Sequence, residues 1–105
     1  NAAAKAYGKY EAAGKMPVGA IIAKDSFMAA PGGDVTPGPL FVMEKMLGGF
    51  NKPSGDWRYT MIMASGKVAG MTNGKGSNAV AFCIECHASV ANQDHLFFMP
   101  EDVRK

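Results

Sequence analysis

The residues with the most distinctive chemistry are two cysteines and a histidine within five consecutive positions, Cys83-Ile84-Glu85-Cys86-His87. The chain contains no other cysteine. On one helical turn, two thiols at this spacing can each reach a vinyl group of haem and form a thioether. The imidazole of the next residue then faces the iron from the same side, as a proximal ligand does. The motif therefore predicts one haem c per chain, covalently attached through Cys83 and Cys86, with His87 as the iron ligand.

The motif is also compatible with a zinc site, a redox pair or a chance match. Together with His95, the same residues supply the ligand types of a Cys₂His₂ zinc site, although a histidine directly after the second cysteine is unusual there. A Cys-x-x-Cys redox pair requires a thioredoxin-like βαβ pattern before it, and the sequence shows none. Covalent haem attachment is the interpretation we favour.

Composition limits the remaining classes of function. A chain of 105 residues corresponds to a single domain, 1–105. Its hydrophobic fraction of 48% and charged fraction of 19% are typical of a globular protein. The net charge is only +2 and no basic cluster occurs, so we expect no nucleic-acid partner. Every apolar run is far shorter than the ~20 residues that cross a bilayer, so we expect no membrane span.

Hydrophobic periodicity and turn residues predict an α+β fold, a mostly antiparallel β-sheet with an N-terminal helix and a short C-terminal haem-attachment helix. The first helix is predicted over 2–13, since Asn1 is a good N-cap and Gly14 can end it. The haem-attachment helix is predicted over 78–90. The other predicted segments are strands at 18–27, 40–46 and 56–64, loops at 29–39 and 48–55, a glycine-rich stretch at 66–76 and a strand or extended tail at 95–100.

Lys24 occupies an unusual place in this pattern. Alternation along the first predicted strand puts it on the same face as Val18, Ala20 and Ile22. A free ammonium group on an apolar face is costly, which favours a specific role for this lysine. The alternative is a side chain that reaches solvent or pairs with a haem propionate.

The order of these segments resembles the cytochrome P-460 family and its relative cytochrome c′-beta. The resemblance is carried by the strand 19–25 with its Gly-x-x-x-x-Lys-Asp pattern, by Asp56-Trp57-Arg58-Tyr59, and by the C-terminal motif 83–87. It spans about residues 1–99 and implies a mostly antiparallel β fold. In that family a further strand usually precedes the first helix, so we expect that strand to lie outside this sequence.

The resemblance implies a chemical role for Lys24. Family members that oxidise hydroxylamine carry a lysine at this place in the strand, covalently joined to the rim of the haem. Such a bond would distort the macrocycle, which is one of the means by which a protein tunes haem electronics. Lys24 is therefore a candidate both for cofactor binding and for catalysis. Relatives without the cross-link exist, so either state is compatible with the sequence.

A catalytic base is the other requirement of hydroxylamine oxidation, besides an open sixth position on iron. The resemblance implies a carboxylate a few residues before the haem motif, but the corresponding residue here is Asn78, which cannot accept a proton. Glu44 is the substitute candidate, because it faces the same way as the apolar residues of its strand. The alternative is an ordinary glutamate at a strand edge.

In the gas-binding relatives, aromatic rings cap the distal pocket, so the resemblance implies that aromatic residues of this chain form such a cap. Phe27, Phe41 and Phe50 are the candidates, and core packing is the alternative for each. Arg58, between two aromatic residues, can bind a haem propionate through its planar guanidinium group. A surface arginine is the alternative.

Three functions follow as hypotheses. The first is an enzyme that oxidises hydroxylamine and passes electrons to a redox partner protein. The second is a non-catalytic protein that binds nitric oxide or carbon monoxide. The third is a six-coordinate electron carrier, with His95 or a methionine such as Met99 on the second axial position. Because covalent haem attachment occurs outside the cytoplasm in bacteria, we expect an exported, periplasmic protein, with a second copy of the chain as a candidate partner in a homodimer.

Overall fold

Asn1 begins the first helical segment, because its side-chain oxygen accepts a hydrogen bond from the backbone amide of Ala4 at 3.2 Å. A computed structural model describes residues 1–105 and extends this segment over Ala2–Ala12. The segment has 3₁₀ rather than α geometry, and Tyr10 interrupts it with a non-helical backbone (φ 53°, ψ −131°). The predicted N-terminal helix is therefore confirmed in position, but it is more tightly wound.

Six strands follow: β1 (Ile21–Lys24), β2 (Phe27–Ala29), β3 (Val35–Pro37), β4 (Leu40–Lys45), β5 (Trp57–Ile62) and β6 (Val68–Met71). Four of them form one sheet in the order β1-β4-β5-β6, and β2 and β3 form a separate hairpin. Every strand pair is antiparallel. The predicted α+β class with mostly antiparallel sheet is confirmed.

Two parts of the strand prediction are wrong. The single strand predicted over 18–27 is two strands, because the chain leaves the main sheet at Asp25–Ser26 and enters the β2–β3 hairpin. The segments predicted as loops at 29–39 and as a glycine-rich stretch at 66–76 contain β3 and β6. Both strands are short and adjoin glycine or proline, so turn residues concealed them in the sequence.

The second helical region consists of three consecutive pieces. A 3₁₀ turn over Ser77–Val80 leads into α1 (Ala81–His87), and a further 3₁₀ segment over Ala88–Gln93 follows. This agrees with the helix predicted over 78–90. In the predicted tail at 95–100, His95 lies in a turn, and 96–100 have no regular secondary structure and pair with no strand. The remaining helical pieces are 3₁₀ turns at Lys52–Ser54 and Glu101–Val103.

A close approach of two glycines docks this helical region on the sheet. A Cβ atom on Gly70 of β6 would overlap the backbone carbonyl of Gly76, and one on Gly76 would overlap that of Ala69. Gly76 also has a left-handed backbone (φ 73°), which favours glycine. Because neither residue has a side chain, the turn at 77–80 lies directly against β5 and β6.

One face of the main sheet packs against α1 and the tail, and we call it the core face. Strand register places on it Ile22, Lys24, Phe41, Met43, Lys45, Trp57, Tyr59, Met61 and Gly70. Trp57 is fully buried there, together with Val80 and Leu96 from the helical region and the tail. The opposite face has no second layer and carries only partly buried or exposed side chains. The orientation of α1 on the core face decides which side chains of the sheet lie near Cys83, Cys86 and His87.

No helix of the chain combines the length and the apolar character that crossing a bilayer requires.

Candidate haem-attachment site

The two thiols lie on the first and second turns of α1. Cys83 is buried, Cys86 is exposed, and both are free. Their separation along the helix places them on one side of it. Burial raises the pKa of the Cys83 thiol, so this group stays protonated at neutral pH. The two sulfur atoms are thus free to form bonds with a group that lies along this side of α1.

His87, the last residue of α1, has a defined ring orientation. Its Nδ1 lies 2.6 Å from the backbone carbonyl oxygen of His95. A carbonyl oxygen only accepts, so Nδ1 carries the proton and donates it. Nε2 is then unprotonated, with a lone pair that can coordinate iron.

The charge state of His87 suits a metal ligand. Burial lowers the pKa of its imidazole, and the positive charge of Lys24 lowers it further, whereas the hydrogen bond to the His95 carbonyl acts in the opposite direction. The pKa therefore lies below the ordinary value for histidine, and the ring is neutral at pH 7. The neutral form is the one that binds a metal.

Two aromatic rings restrict the His87 imidazole from its sides. The Tyr59 ring lies 5.1 Å away at 54°, and the Phe97 ring lies 4.9 Å away at 74°. The Tyr59 hydroxyl is buried and has no hydrogen-bond partner, which is costly for a polar group. Burial raises the pKa of Tyr59, with Cys83 and Cys86 nearby, so the phenol stays neutral. A cofactor with peripheral polar atoms, bound at these cysteines, would supply the missing partner.

Large apolar side chains are exposed around this site. The accessible surface of the chain is 6868 Å², compared with about 5,600 Å² for an ordinary monomer of its mass. Phe82 of α1 and Phe97 beside His87 are about half exposed, and the hairpin exposes Phe27, Met28 and Val35 even more. Such apolar surface is typical of a site that another group covers. Together with the two thiols, the free Nε2 and the unpartnered phenol, it fits a haem group.

Lys24 is on the same face as this site. It is directly opposite Phe41 in the β1–β4 register, and the Phe41 ring packs edge-on against Phe82 of α1 at 6.4 Å. Its charge acts on His87. The structure thus places Lys24 on the sheet face against which α1 packs. The side chain is exposed, however, so a free ammonium group costs little there.

Glu44 and Arg58 are not brought to this site. They are register partners in β4 and β5 and form an ion pair with each other. Neighbouring residues along a strand point to opposite faces, so both lie on the face opposite Met43 and Tyr59. The sheet separates the Glu44 carboxylate and the Arg58 guanidinium from His87.

The predicted aromatic cap residues divide into two groups. Phe41 lies on the core face near α1, and Phe27 lies in the exposed hairpin. Phe50 lies in the loop after β4, at the end of the sheet away from Phe41 and Lys24. Asn78, at the position where the resemblance implies a carboxylate, is exposed in the turn before α1.

His95 lies behind His87 rather than across from it. Its carbonyl contacts Nδ1, which is on the side of the ring away from the free Nε2. Its own ring lies against Gly55, where a Cβ atom would come within 2.6 Å of the ring. This position does not suit a second axial ligand on the other side of the iron. No cluster of three or more histidine, cysteine or acidic residues is arranged to hold a metal ion, as a zinc site would require.

Sequence reasoning missed three residues that act on this site. The Tyr59 hydroxyl was not singled out, and neither were Lys45 and Asp94, which form a buried ion pair. Alternation in β4 does put Lys45 on the face of Phe41 and Met43, and this was the available signal. Nothing in the sequence marks Asp94, because its partners are distant along the chain.

Comparison with known proteins gives one family. Among curated proteins, none matches this chain. The family model described as Cytochrome P460 matches residues 2–98, which include the first helical segment, both sheets and the whole of α1. The match spans nearly the entire chain, and the geometry around α1 fits the haem group that this family implies. The chain therefore belongs to the cytochrome P460 family of haem proteins.

Proposed function

We propose that this chain is a mono-haem c-type cytochrome that binds small nitrogen-oxide ligands on the side of the iron opposite His87. The observation that carries the proposal is the 2.6 Å contact between Nδ1 of His87 and the His95 carbonyl. This contact directs Nε2 away from the tail, and His87 lies on the same helix as Cys83 and Cys86. These two cysteines would hold the haem through thioethers. When bound, the haem supplies an iron that takes up a ligand and exchanges electrons.

The side chains on the core face support ligand binding without turnover. Tyr59 contacts His87 there and the charge of Lys24 acts on it, and neither side chain supplies a carboxylate base. Phe41 and Phe82 pack together beside the site, and Phe27 is exposed on the hairpin. Such rings exclude water from a small apolar ligand such as nitric oxide or carbon monoxide.

Hydroxylamine oxidation is the second candidate, and the position of Lys24 favours it. A lysine on the face of His87 is placed to form the cross-link to the haem rim that the family resemblance implies. The reaction releases electrons to a redox partner protein and an equal number of protons to a base. The Glu44 carboxylate lies on the other face of the sheet, so solvent water would accept these protons.

Location and assembly complete the proposal. Covalent attachment through Cys83 and Cys86 would take place outside the cytoplasm, so we propose a periplasmic, exported protein. A homodimer of this chain is part of the same proposal.

The deciding experiment is spectroscopy on the protein produced with periplasmic haem attachment. We expect a pyridine haemochrome spectrum of haem c, a mass increase of one haem per chain, and loss of the covalent haem in Cys83→Ala/Cys86→Ala. The reduced protein should respond rapidly and completely to carbon monoxide or nitric oxide. Sharp low-spin bands with no response to these ligands would refute an open iron site and establish the electron carrier.

A second measurement separates the two candidates. Lys24→Arg should remove any cross-linked lysine peptide from the mass spectrum and leave both thioethers in place. Lys5→Arg, an exposed lysine of the first helical segment, is the matched control. If the wild type reduces an artificial acceptor in the presence of hydroxylamine and Lys24→Arg does not, the enzyme is established. If the wild type shows no turnover of hydroxylamine at any pH, the enzyme is refuted and the ligand-binding protein is the remaining candidate.

A further inference from the structure

The backbone that supplies the carbonyl partner of His87 is unusual. Asp94 (φ 55°, ψ 35°) and His95 (φ 62°) are consecutive residues in the left-handed region, and neither is glycine. Left-handed backbone is uncommon outside glycine, although aspartate adopts it more readily than most residues, so two such residues in succession point to surroundings that impose it. The conformation reverses the chain after the Ala88–Gln93 segment and returns the His95 carbonyl to Nδ1 of His87.

Asp94 is the residue that fixes this turn. Its Oδ1 accepts from the Lys45 ammonium at 2.6 Å, and its Oδ2 accepts from the backbone amide of Met16 at 2.7 Å. Its backbone carbonyl accepts from Nε1 of Trp57 at 2.9 Å. All three oxygens of the residue are thus bonded, each to a different element of the fold.

The anchors of Asp94 lie on neighbouring strands. Lys45 and Trp57 are directly opposite each other, as the last register pair between β4 and β5, the two inner strands of the main sheet. The Lys45 ammonium lies 5.0 Å from the centre of the Trp57 ring, within the range of a cation–π interaction. The side chains of Lys45 and Asp94 are only 4% and 8% exposed. A buried ion pair of this kind is strongly perturbed when one partner is removed, because the other charge is left without compensation.

We propose that Asp94, held by Lys45 and Trp57, is a positioning residue for the iron ligand His87. It acts through the carbonyl of the next residue, His95, which fixes the ring orientation and the Nδ1–H tautomer of the imidazole. Such a bond also increases the electron donation of Nε2 to a metal. Through these contacts the sheet would act on an iron bound at Nε2, by way of the orientation and electron donation of the His87 ring. This inference rests on the proposed role of His87 as the iron ligand.

The first test uses the protein before haem attachment. In the wild type, the Nδ1 proton of His87 is hydrogen-bonded and partly buried, so it should give a slowly exchanging downfield proton resonance in water. Asp94→Gly keeps the backbone freedom of the turn but removes both side-chain contacts. We expect loss of the resonance and a shift of the ring toward the Nε2–H tautomer, measured from the ¹⁵N chemical shifts at a pH where the ring is neutral.

Two further variants keep the test informative if Asp94→Gly does not fold. Trp57→Phe retains an aromatic ring at this position and removes the Nε1–H donor, together with the volume of the second ring. Asp94→Asn retains the size of the side chain and tolerates the left-handed backbone. Its single amide oxygen can accept from only one of the two donors, the Lys45 ammonium and the Met16 amide, that bond the carboxylate. Both should show an intermediate loss of the Nδ1–H tautomer. Glu11→Gln is the control, since it breaks an exposed ion pair with Arg104 that has no contact with residues 94–95.

The second test uses the haem-loaded protein. In the reduced state, resonance Raman spectroscopy should show a lower iron–histidine stretching frequency in all three variants than in the wild type and Glu11→Gln. The reduction potential should rise in the same variants, because a weaker donor stabilises ferric iron less. A structural role alone would lower the unfolding free energy and leave the stretching frequency unchanged.

The outcomes separate this inference from the proposed function. If His87→Ala leaves the axial coordination of the iron as in the wild type, then His87 is not the ligand and the proposed function fails. If His87 is the ligand, but folded Asp94→Gly or Trp57→Phe retains both the Nδ1 resonance and the stretching frequency, then the positioning role alone is overturned.

Discussion

At the scale of single residues, the chemistry of the site depends on which nitrogen of His87 carries the proton. The His95 carbonyl decides this, because it can only accept a hydrogen bond. Nε2 of the neutral ring is then unprotonated, and it belongs to the same helix, α1, as the two cysteines. The two left-handed residues that place this carbonyl cost of order 1–2 kcal/mol each, and the contacts of Asp94 offset that cost.

The Tyr59 hydroxyl gives a prediction at this scale. The group is buried without a partner, so Tyr59→Phe should raise the unfolding free energy of the haem-free protein by about 1 kcal/mol. In the haem-loaded protein we expect a smaller gain or none, because the hydroxyl then has the cofactor as a partner. Urea denaturation of both forms measures the difference.

Tyr7→Phe is the matched control for this prediction. The Tyr7 hydroxyl donates to the Phe97 carbonyl at 2.6 Å, so its removal should lower the unfolding free energy, by about 1 kcal/mol in both forms. Equal gains for Tyr59→Phe with and without haem would mean that the phenol does not meet the cofactor.

At the scale of elements, the position of α1 depends on the close approach of Gly70 in β6 to Gly76, just before the turn at 77–80. Gly70 and Gly76 approach so closely that the turn at 77–80 lies against the sheet, and α1 continues directly from this turn. Any side chain at either position would move the start of α1 away from β5. The thiols and His87 would move with it.

Gly70→Ala should therefore destabilise the fold by roughly 1–3 kcal/mol, since the new Cβ atom meets backbone rather than a flexible side chain. Chemical denaturation gives the magnitude, and the yield of covalent haem reports the position of α1. Gly48→Ala is the control, because nothing lies within 4 Å of its Cβ position and its backbone is not left-handed. Equal stability of the two variants would contradict the close approach.

The β2–β3 hairpin gives a second prediction for an element. Ser26 closes its base, since its hydroxyl donates to the Pro39 carbonyl at 2.5 Å. We expect Ser26→Ala to increase amide hydrogen exchange across 27–37 and to leave β4 and β5 unchanged. Thr36→Val is the control, because its exposed hydroxyl makes only a 3.4 Å contact to Met28. Unchanged exchange in Ser26→Ala would show that backbone pairing alone closes the hairpin.

At the scale of the whole molecule, two contacts join the first helical segment to the C-terminal tail. Arg104 forms two hydrogen bonds to the Glu11 carboxylate, at 2.9 and 2.6 Å, and stacks on the Tyr10 ring. The Tyr7 ring packs against Phe98 at 5.3 Å. These contacts hold the end of the chain against the first helical segment.

The Glu11–Arg104 pair predicts a dependence of stability on pH. The hydrogen bond from Arg104 lowers the pKa of Glu11, so the folded state favours the ionised carboxylate. Its contribution is complete above the ordinary pKa of glutamate and is lost as the pH falls through the lowered value. Glu11→Gln should thus be less stable than the wild type at neutral pH and equal to it in acid, as measured by urea denaturation. If the difference in unfolding free energy persists in acid, the effect comes from packing and not from the ion pair.

Local patterns in the sequence were enough to predict the chemistry of the motif at 83–87 and the positions of most helices and strands. The spacing of Cys83, Cys86 and His87 needs only one helical turn to bring its atoms together. Alternation in β4 and β5 fixed which side chains share a face, since successive residues of a strand point in opposite directions. The same rule placed Lys24 on the face of Ile22.

Only the tertiary structure decided which face α1 covers, and hence the position of the candidate residues. Alternation put Glu44 and Arg58 on the strands correctly, but it could not show that they pair with each other across the sheet from His87. The contacts of Asp94 with Lys45 and Met16 join positions 49 and 78 residues apart. Contacts across such separations depend on how the elements pack, and no local pattern encodes them.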